Sequence, residues 1–257
     1  MKDKFNIQIP DLNAIEQGRE YFILEQDGKK EKIEFHDYDR IYEIPGLYES
    51  LFYDTYKCNS PETVCSLLEK HITKENQGMD IVALDIGAGN GMVGEQLADI
   101  GADTIVGIDI IPEAVEALER DRPGVYDEYH VADLTAMAPS VRFSLEKKDF
   151  NCMTVVAALG FGDIPPEAFA QGYNLISSQG WVAFNIKEDF VCEQDQSGFC
   201  DLIHNLDNKG ILDIREQHRY RHRFCQDGTP LYYFAVVGRK MDDIPAAMVP
   251  GMQTSVS

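Results

Sequence analysis

Along the middle of the chain, short apolar runs rich in β-branched residues alternate with amphipathic stretches. The first run is Ile81-Val82-Ala83-Leu84-Asp85-Ile86, continuous enough to be a strand buried on both faces. A glycine cluster ends it. Val93, Leu97 and Ile100 then share one face of a helix. The unit recurs. Thr104–Asp109 is a second strand, followed by a helix that Pro112 opens with Val115 and Leu118 inward. Tyr126–Ala132 is a third, followed by a short helix and loop over 135–149. Cys152–Leu159 is a fourth, followed by a loop over 160–166 and a helix over Glu167–Ser177. Trp181–Ile186 is a fifth, and Phe199, Leu202, Ile203 and Leu206 form a further helical face. Ile211–Phe224 alternates, and Asp227-Gly228-Thr229-Pro230 turns it into the apolar run Leu231–Gly238. Strands joined by so short a turn are antiparallel.

Ahead of this array, Tyr21–Leu24 and Lys32–Phe35 flank Asp27-Gly28, a hairpin signal. Residues 36–56 are the most aromatic part of the chain, split by Pro45-Gly46. Ser60-Pro61 opens a helix, with Ser60 as its cap and Val64, Leu67 and Leu68 inward. Residues 1–20 show no pattern. The predicted fold class is α/β: a doubly wound, mostly parallel seven-stranded sheet with a terminal antiparallel hairpin, plus an N-terminal helical and hairpin cap. The expected divisions are a cap or lid over 1–79, a core over 80–240 and a loose tail over 241–257.

The glycine cluster fits two registers. Gly89-Asn90-Gly91-Met92-Val93-Gly94 satisfies G-x-G-x-x-G, the dinucleotide fingerprint. Asp85-Ile86-Gly87-Ala88-Gly89-Asn90-Gly91 satisfies D-x-G-x-G-x-G and resembles motif I of class I S-adenosylmethionine (SAM) methyltransferases. If Gly87 opens the turn, Asp85 stands at the strand's carboxyl end and is expected to face the ligand. A carboxylate there suits an ammonium group, which SAM carries, and repels the pyrophosphate of NAD. The terminal hairpin argues the same way, since a plain dinucleotide-binding domain keeps its sixth strand parallel.

That resemblance covers roughly residues 80–240 and implies SAM as cofactor. It implies that Asp85, Gly87, Ala88, Gly89 and Gly91 cradle the methionine end, and that Ala158 approaches it from the fourth strand. Asp109, at the end of the second strand, would accept the ribose hydroxyls; NAD has the same ribose, so this residue does not discriminate. Ile110 would pack on adenine, Asp133 would accept its amino hydrogens, and the Leu134 backbone would bond the ring. Transfer from a sulfonium needs only a nucleophile held in line in a dry cleft. No Ser-His-Asp pattern or metal cluster is required, and no metal is expected. Asp163, after the fourth strand, is the first choice for a base. Tyr48 and His36 from the aromatic segment and Asn185 from the fifth strand are candidates for substrate contact. Arg219, Arg221 and Arg223 alternate on one strand and are expected to share a face.

Composition narrows the partners. The 257 residues carry a formal net charge of −21, which repels phosphate backbones and anionic membranes. Neither nucleic acid nor membrane is therefore expected as a partner; a small molecule, the leading choice, and a substrate on a carrier protein both stay open, as does the oligomeric state, a homodimer included. Asn-Pro-Pro-Tyr, which amino-group methylases of DNA carry after the fourth strand, is absent here. The six cysteines form no C-x-x-C, as in reduced proteins. Met1–Phe5 lacks a signal-peptide core, so a cytoplasmic location is expected. The resulting expectation is a SAM-dependent methyltransferase acting on a small-molecule O, N or C nucleophile. The alternatives are an NAD(P)-dependent oxidoreductase, a non-catalytic scaffold of this fold, and aminopropyl transfer from decarboxylated SAM.

Overall fold

The structure is a computed structural model that describes residues 5–10, 19–75, 78, 80–159, 163–188 and 197–249. Its centre is a seven-stranded sheet. The strands are β4 (Val82–Ile86), β5 (Thr104–Asp109), β6 (Glu128–Val131), β7 (Cys152–Leu159), β8 (Trp181–Lys187), β9 (Leu212–Phe224) and β10 (Pro230–Lys240). They lie in the order β6-β5-β4-β7-β8-β10-β9. The first five are parallel, and β10 runs antiparallel to both β8 and β9. The chain winds outward from β4 to β6, then returns to β7 on the other side of β4. That reversal opens a crevice at the carboxyl ends of β4 and β7.

Strand alternation sorts the side chains into two layers. Leu84, Ile86, Val106, Ile108, Met153, Val155, Phe184 and Ile186 pack on one face with α6 (Pro166–Asn174) and α7 (Phe199–Asn208). Ala83, Ile105, Cys152, Val156, Trp181 and Ala183 pack on the other with α2 (Ser60–Glu75) and α3 (Met92–Asp99). The helix starting at Ser60 thus lies on the sheet, although it falls within the expected cap. Ser60 is buried, and its Oγ lies 2.6 Å from both Tyr220 Oη and His222 Nδ1, so the hydroxyl serves a core network in place of the expected cap.

The cap hairpin is β2 (Tyr21–Gln26) and β3 (Lys29–Glu34). A third strand, β1 (Phe5–Gln8), pairs with β2; four residues of mixed polarity gave no sequence signal. Phe22, Leu24, Ile33 and Phe35 pack against Ile41, Leu47, Leu51 and Phe52 of the aromatic segment. That segment forms α1 (Tyr38–Glu43) and a π-helical turn, Glu49–Thr55. Between them Gly46 takes a φ of +78°, a conformation suited to glycine.

The lid is tied to the far end of the chain. Glu20 and Arg223 form a buried ion pair at 2.5 Å. The Phe224 N–H donates to Tyr56 O, and the Asn59 N–H to His222 O. A bulge between β9 and β10 at Leu231/Tyr232 turns Arg223 inward, while Arg219 stays exposed and pairs with Glu188. The three arginines therefore do not share a face.

The stretch after β10 is not loose over its described part. Ile244 and Val249 are buried; the Ile244 N–H donates to Asn174 Oδ1, and Asn174 Nδ2 donates to Ile244 O. Residues 250–257 lie outside the described residues, as do 160–162 of the predicted loop. No helix among the described residues is long and apolar enough to cross a membrane. Replacement of the buried Ile244 by Ala is expected to lower stability by about 2–3 kcal/mol, read from urea unfolding; a loss below ~0.5 kcal/mol, ordinary for a surface site, would contradict this packing.

Candidate active site

The crevice holds a cavity of about 240 Å³. Its floor is the glycine turn after β4. The Gly87 and Ala88 N–H groups donate to Ile108 O, at 2.8 and 3.1 Å. Gly87, Gly89 and Gly91 all have positive φ. A Cβ on Gly87 would stand 2.9 Å from Ala158 Cβ, so wall and turn meet with no room for a side chain. Helix α3 begins after Gly91. The turn is therefore Gly87–Gly91, as the D-x-G-x-G-x-G register requires. Gly94 lies inside α3, where a Cβ would meet Tyr126 and Val125 at 2.7 Å; it is a packing glycine. Only Gly87 of the turn lines the cavity; Ala88, Gly89 and Gly91 shape the turn behind it.

Asp109 lies at the carboxyl end of β5 and lines the cavity. Its Oδ2 accepts the Gly89 N–H at 2.9 Å and its Oδ1 the Ile111 N–H at 3.0 Å. Burial pushes its pKa above the ordinary carboxylate value, against backbone N–H groups that favour the charged form. Each oxygen keeps a lone pair for a ligand. Asp133 and Leu134 follow β6 in the same wall. Asp133 Oδ1 accepts both the Thr135 N–H and the Thr135 hydroxyl, so it caps the short 3₁₀ turn Leu134–Ala136 as well as lining the cavity. Those bonds hold its carboxyl below the usual range. Ile110 lines the cavity while 59% exposed.

Asp85 departs from expectation. It is fully buried and lies outside the cavity lining. Tyr126 Oη donates to its Oδ2 and Thr154 Oγ1 to its Oδ1, both at 2.6 Å. Strand parity is the reason: Ile86 lines the cavity, so residue 85 points to the opposite face of the sheet. The register was right, but the carboxylate cannot greet a ligand. Asn185 is a second correction. It is fully buried outside the lining, with Nδ2 donating to Tyr220 Oη and Ser60 Oγ. Its Oδ1 accepts the Ala157 N–H at 2.6 Å. Ala157 lines the cavity with φ +58°, an unusual conformation for alanine, so Asn185 supports the wall from behind.

The roof comes from the aromatic segment. Tyr38 and Tyr42 of α1 join Tyr48 over the cavity. The rings of Tyr42 and Tyr48 lie 5.0 Å apart, and those of Tyr38 and Tyr42 6.3 Å apart. Burial pushes all three phenols up, so they remain hydrogen-bond donors. Tyr42 was not singled out from sequence; its four-residue spacing from Tyr38, which puts both on one helix face, was the available signal. Arg120 Nη1 donates to Tyr42 O, and Arg122 Nη1 to Glu49 Oε1, fastening the roof to α4 (Pro112–Asp121) and the residue after it. His36 and Asp163 both line the cavity, with His36 Nδ1 3.6 Å from Asp163 Oδ2.

Residues 84–184, which span the turn, Asp109, Asp133 and the β7 wall, match the family described as methyltransferase domain. Among solved structures, the N-methyltransferase NodS of Bradyrhizobium japonicum in complex with S-adenosyl-L-homocysteine is similar at 15% identity and a TM-score of 0.57, over 80% of this chain and 97% of that one. A S-adenosylmethionine-dependent methyltransferase from Clostridium acetobutylicum is similar at 11% identity and a TM-score of 0.52, over 76% and 96%. One from Anabaena variabilis gives 14% identity and a TM-score of 0.51, over 82% and 97%. At these identities the likeness is one of fold. No curated protein matches the sequence.

The buried acid of β4 has a measurable signature. Burial pushes the Asp85 pKa up to about 7, against about 4 in an unfolded chain. The native state therefore holds an extra proton between those values, and stability falls as pH rises through them. Asp85→Asn is expected to abolish about 3 kcal/mol of the stability lost between roughly pH 5 and 8, measured by denaturant titration at both pH values. An unchanged pH dependence would show that Asp85 is not the buried acid responsible.

Proposed function

We propose that the protein is a SAM-dependent methyltransferase acting on a small molecule. The observation that carries this reading is one continuous cavity lined by Ile110 and Asp133 at one end, Asp109 and Gly87 in the middle, and Asp163 and His36 at the other. Its residues fit the cofactor. Ile110 and Leu134 would hold adenine, with Asp133 beside its amino group. Asp109 would accept the ribose hydroxyls. Gly87 and Ala158 would let the methionine end lie against bare backbone and a small side chain.

SAM supplies an electrophilic methyl on a sulfonium that is its own leaving group. The chain's residues have the remaining tasks. Tyr38, Tyr42 and Tyr48 exclude water, and Tyr48 and His36 touch the acceptor. Asp163 takes part in removing its proton. The core over 80–240 would bind the cofactor and the segment before it would form the lid, with α2 belonging to the core layer. The acidic surface and the roofed cavity favour a small acceptor over nucleic acid.

Isothermal titration with S-adenosylhomocysteine tests the reading. Micromolar binding is expected. Asp109→Ala removes two charge-assisted hydrogen bonds to ribose and is expected to weaken binding about 100-fold or more. Absence of binding to the unmodified protein would overturn the proposal.

A further inference from the structure

Behind the roof lies a second, smaller cavity of about 40 Å³, room for about three waters or a single ring. It shares His36, Tyr38, Tyr48, Ala157 and Asp163 with the first cavity. Its own walls are Phe35, Phe52 and Tyr233, with Cys58, His222 and Arg223 at the inner end. His36 and Asp163 thus stand at the junction of the two spaces, where a group held in the inner one would meet a group delivered from the outer.

The charges limit what can enter. Asp163 is the one carboxylate lining the inner chamber among the described residues, and it sits at the mouth. Arg223 lines the inner end, while its partner Glu20 lies outside the lining. His222 is held neutral by burial and by the neighbouring Arg223 and Arg221. A cation would face Arg223, and an anion would face Asp163. The rings alone would suit a cation, but Arg223 in the same lining does not. A flat, uncharged molecule satisfies both ends. At the mouth, Asp163 Oδ2 lies 3.6 Å from His36 Nδ1, near enough to orient the imidazole and to tighten when substrate binds. An imidazole so placed serves an acceptor that must lose a proton.

We infer that the methyl acceptor is a flat, uncharged hydroxyl compound of one aromatic ring, seated in the inner chamber with its hydroxyl on His36. This rests on the SAM reading. In the step, the acceptor's O–H bond breaks and its proton passes to His36 Nε2. The O–CH₃ bond forms as the S–CH₃ bond breaks, and the S–CH₃ electron pair stays on sulfur, which becomes a neutral thioether. The imidazolium, paired with Asp163, later releases the proton to solvent.

The test follows methyl transfer from labelled SAM to phenol, para-nitrophenol, benzylamine and benzoate, with S-adenosylhomocysteine binding measured alongside. Transfer to the two phenols and not to the amine or the acid is expected. His36→Gln should keep S-adenosylhomocysteine affinity. It should lose about 100-fold in kcat/KM on phenol but under about 10-fold on para-nitrophenol, whose neutral form is well populated at neutral pH and acidic enough to need little help from a base. Asp163→Asn should follow the same split. Preference for benzylamine or benzoate overturns the inference, as does transfer to none of the four while S-adenosylhomocysteine binds. Equal losses on the two phenols would reduce His36 to a structural part and overturn its role. Failure of S-adenosylhomocysteine to bind would instead remove the cofactor reading on which all of this stands.

Discussion

The Asp109 carboxylate is the joint on which the site depends. One oxygen takes the Gly89 N–H of the turn after β4, and the other takes the Ile111 N–H at the start of the next helix. Two loops that leave adjacent strands in the same direction are thereby fixed to one buried anion. A buried carboxylate is tolerable only when such donors meet it. In return, the glycine turn is held at a set distance from the β5 end, and the cavity has a floor. The tyrosine roof then closes against that floor, with Tyr42 standing where a Cβ on Gly89 would go.

Much of this was legible from residue pattern. The five parallel strands, the hairpin that closes the sheet and the turn opening at Gly87 all follow from apolar runs and glycine spacing. Asp109 and Asp133 could be placed beside the crevice from sequence because one ends a strand and the other follows one on the side of the sheet that holds it. Asp85 was misjudged for the complementary reason. Position along a strand tells which end a residue occupies, but parity tells which face it serves, and Ile86 had already claimed the cavity face. Asn185 failed in the same way, being near the right strand end and behind the wall.

Other features had no local signal. Ser60 looks like a helix cap because caps are read from neighbours in sequence, while its partners Tyr220 and His222 lie far along the chain. The bulge that turns Arg223 inward depends on how β9 meets β10, which alternation alone cannot show. Ile244 and Val249 stand in a stretch with no strand or helix periodicity, and Ile244 is held by Asn174 of a distant helix.

The ties between lid and terminal hairpin set an order of events during synthesis. Glu20, Tyr56 and Ser60 leave the ribosome well before their partners Arg223, Phe224 and His222, which are made only after strands β4 to β8. Contacts so distant in sequence form late, because a long loop must close first. The parallel sheet from β4 to β8 can assemble beforehand, and α4 can take hold of the roof, but the lid's ties to the terminal hairpin cannot form until β9 is in place. The nascent chain therefore passes through a stage in which the lid is held from one side only, the stage at which a chaperone would have most to hold.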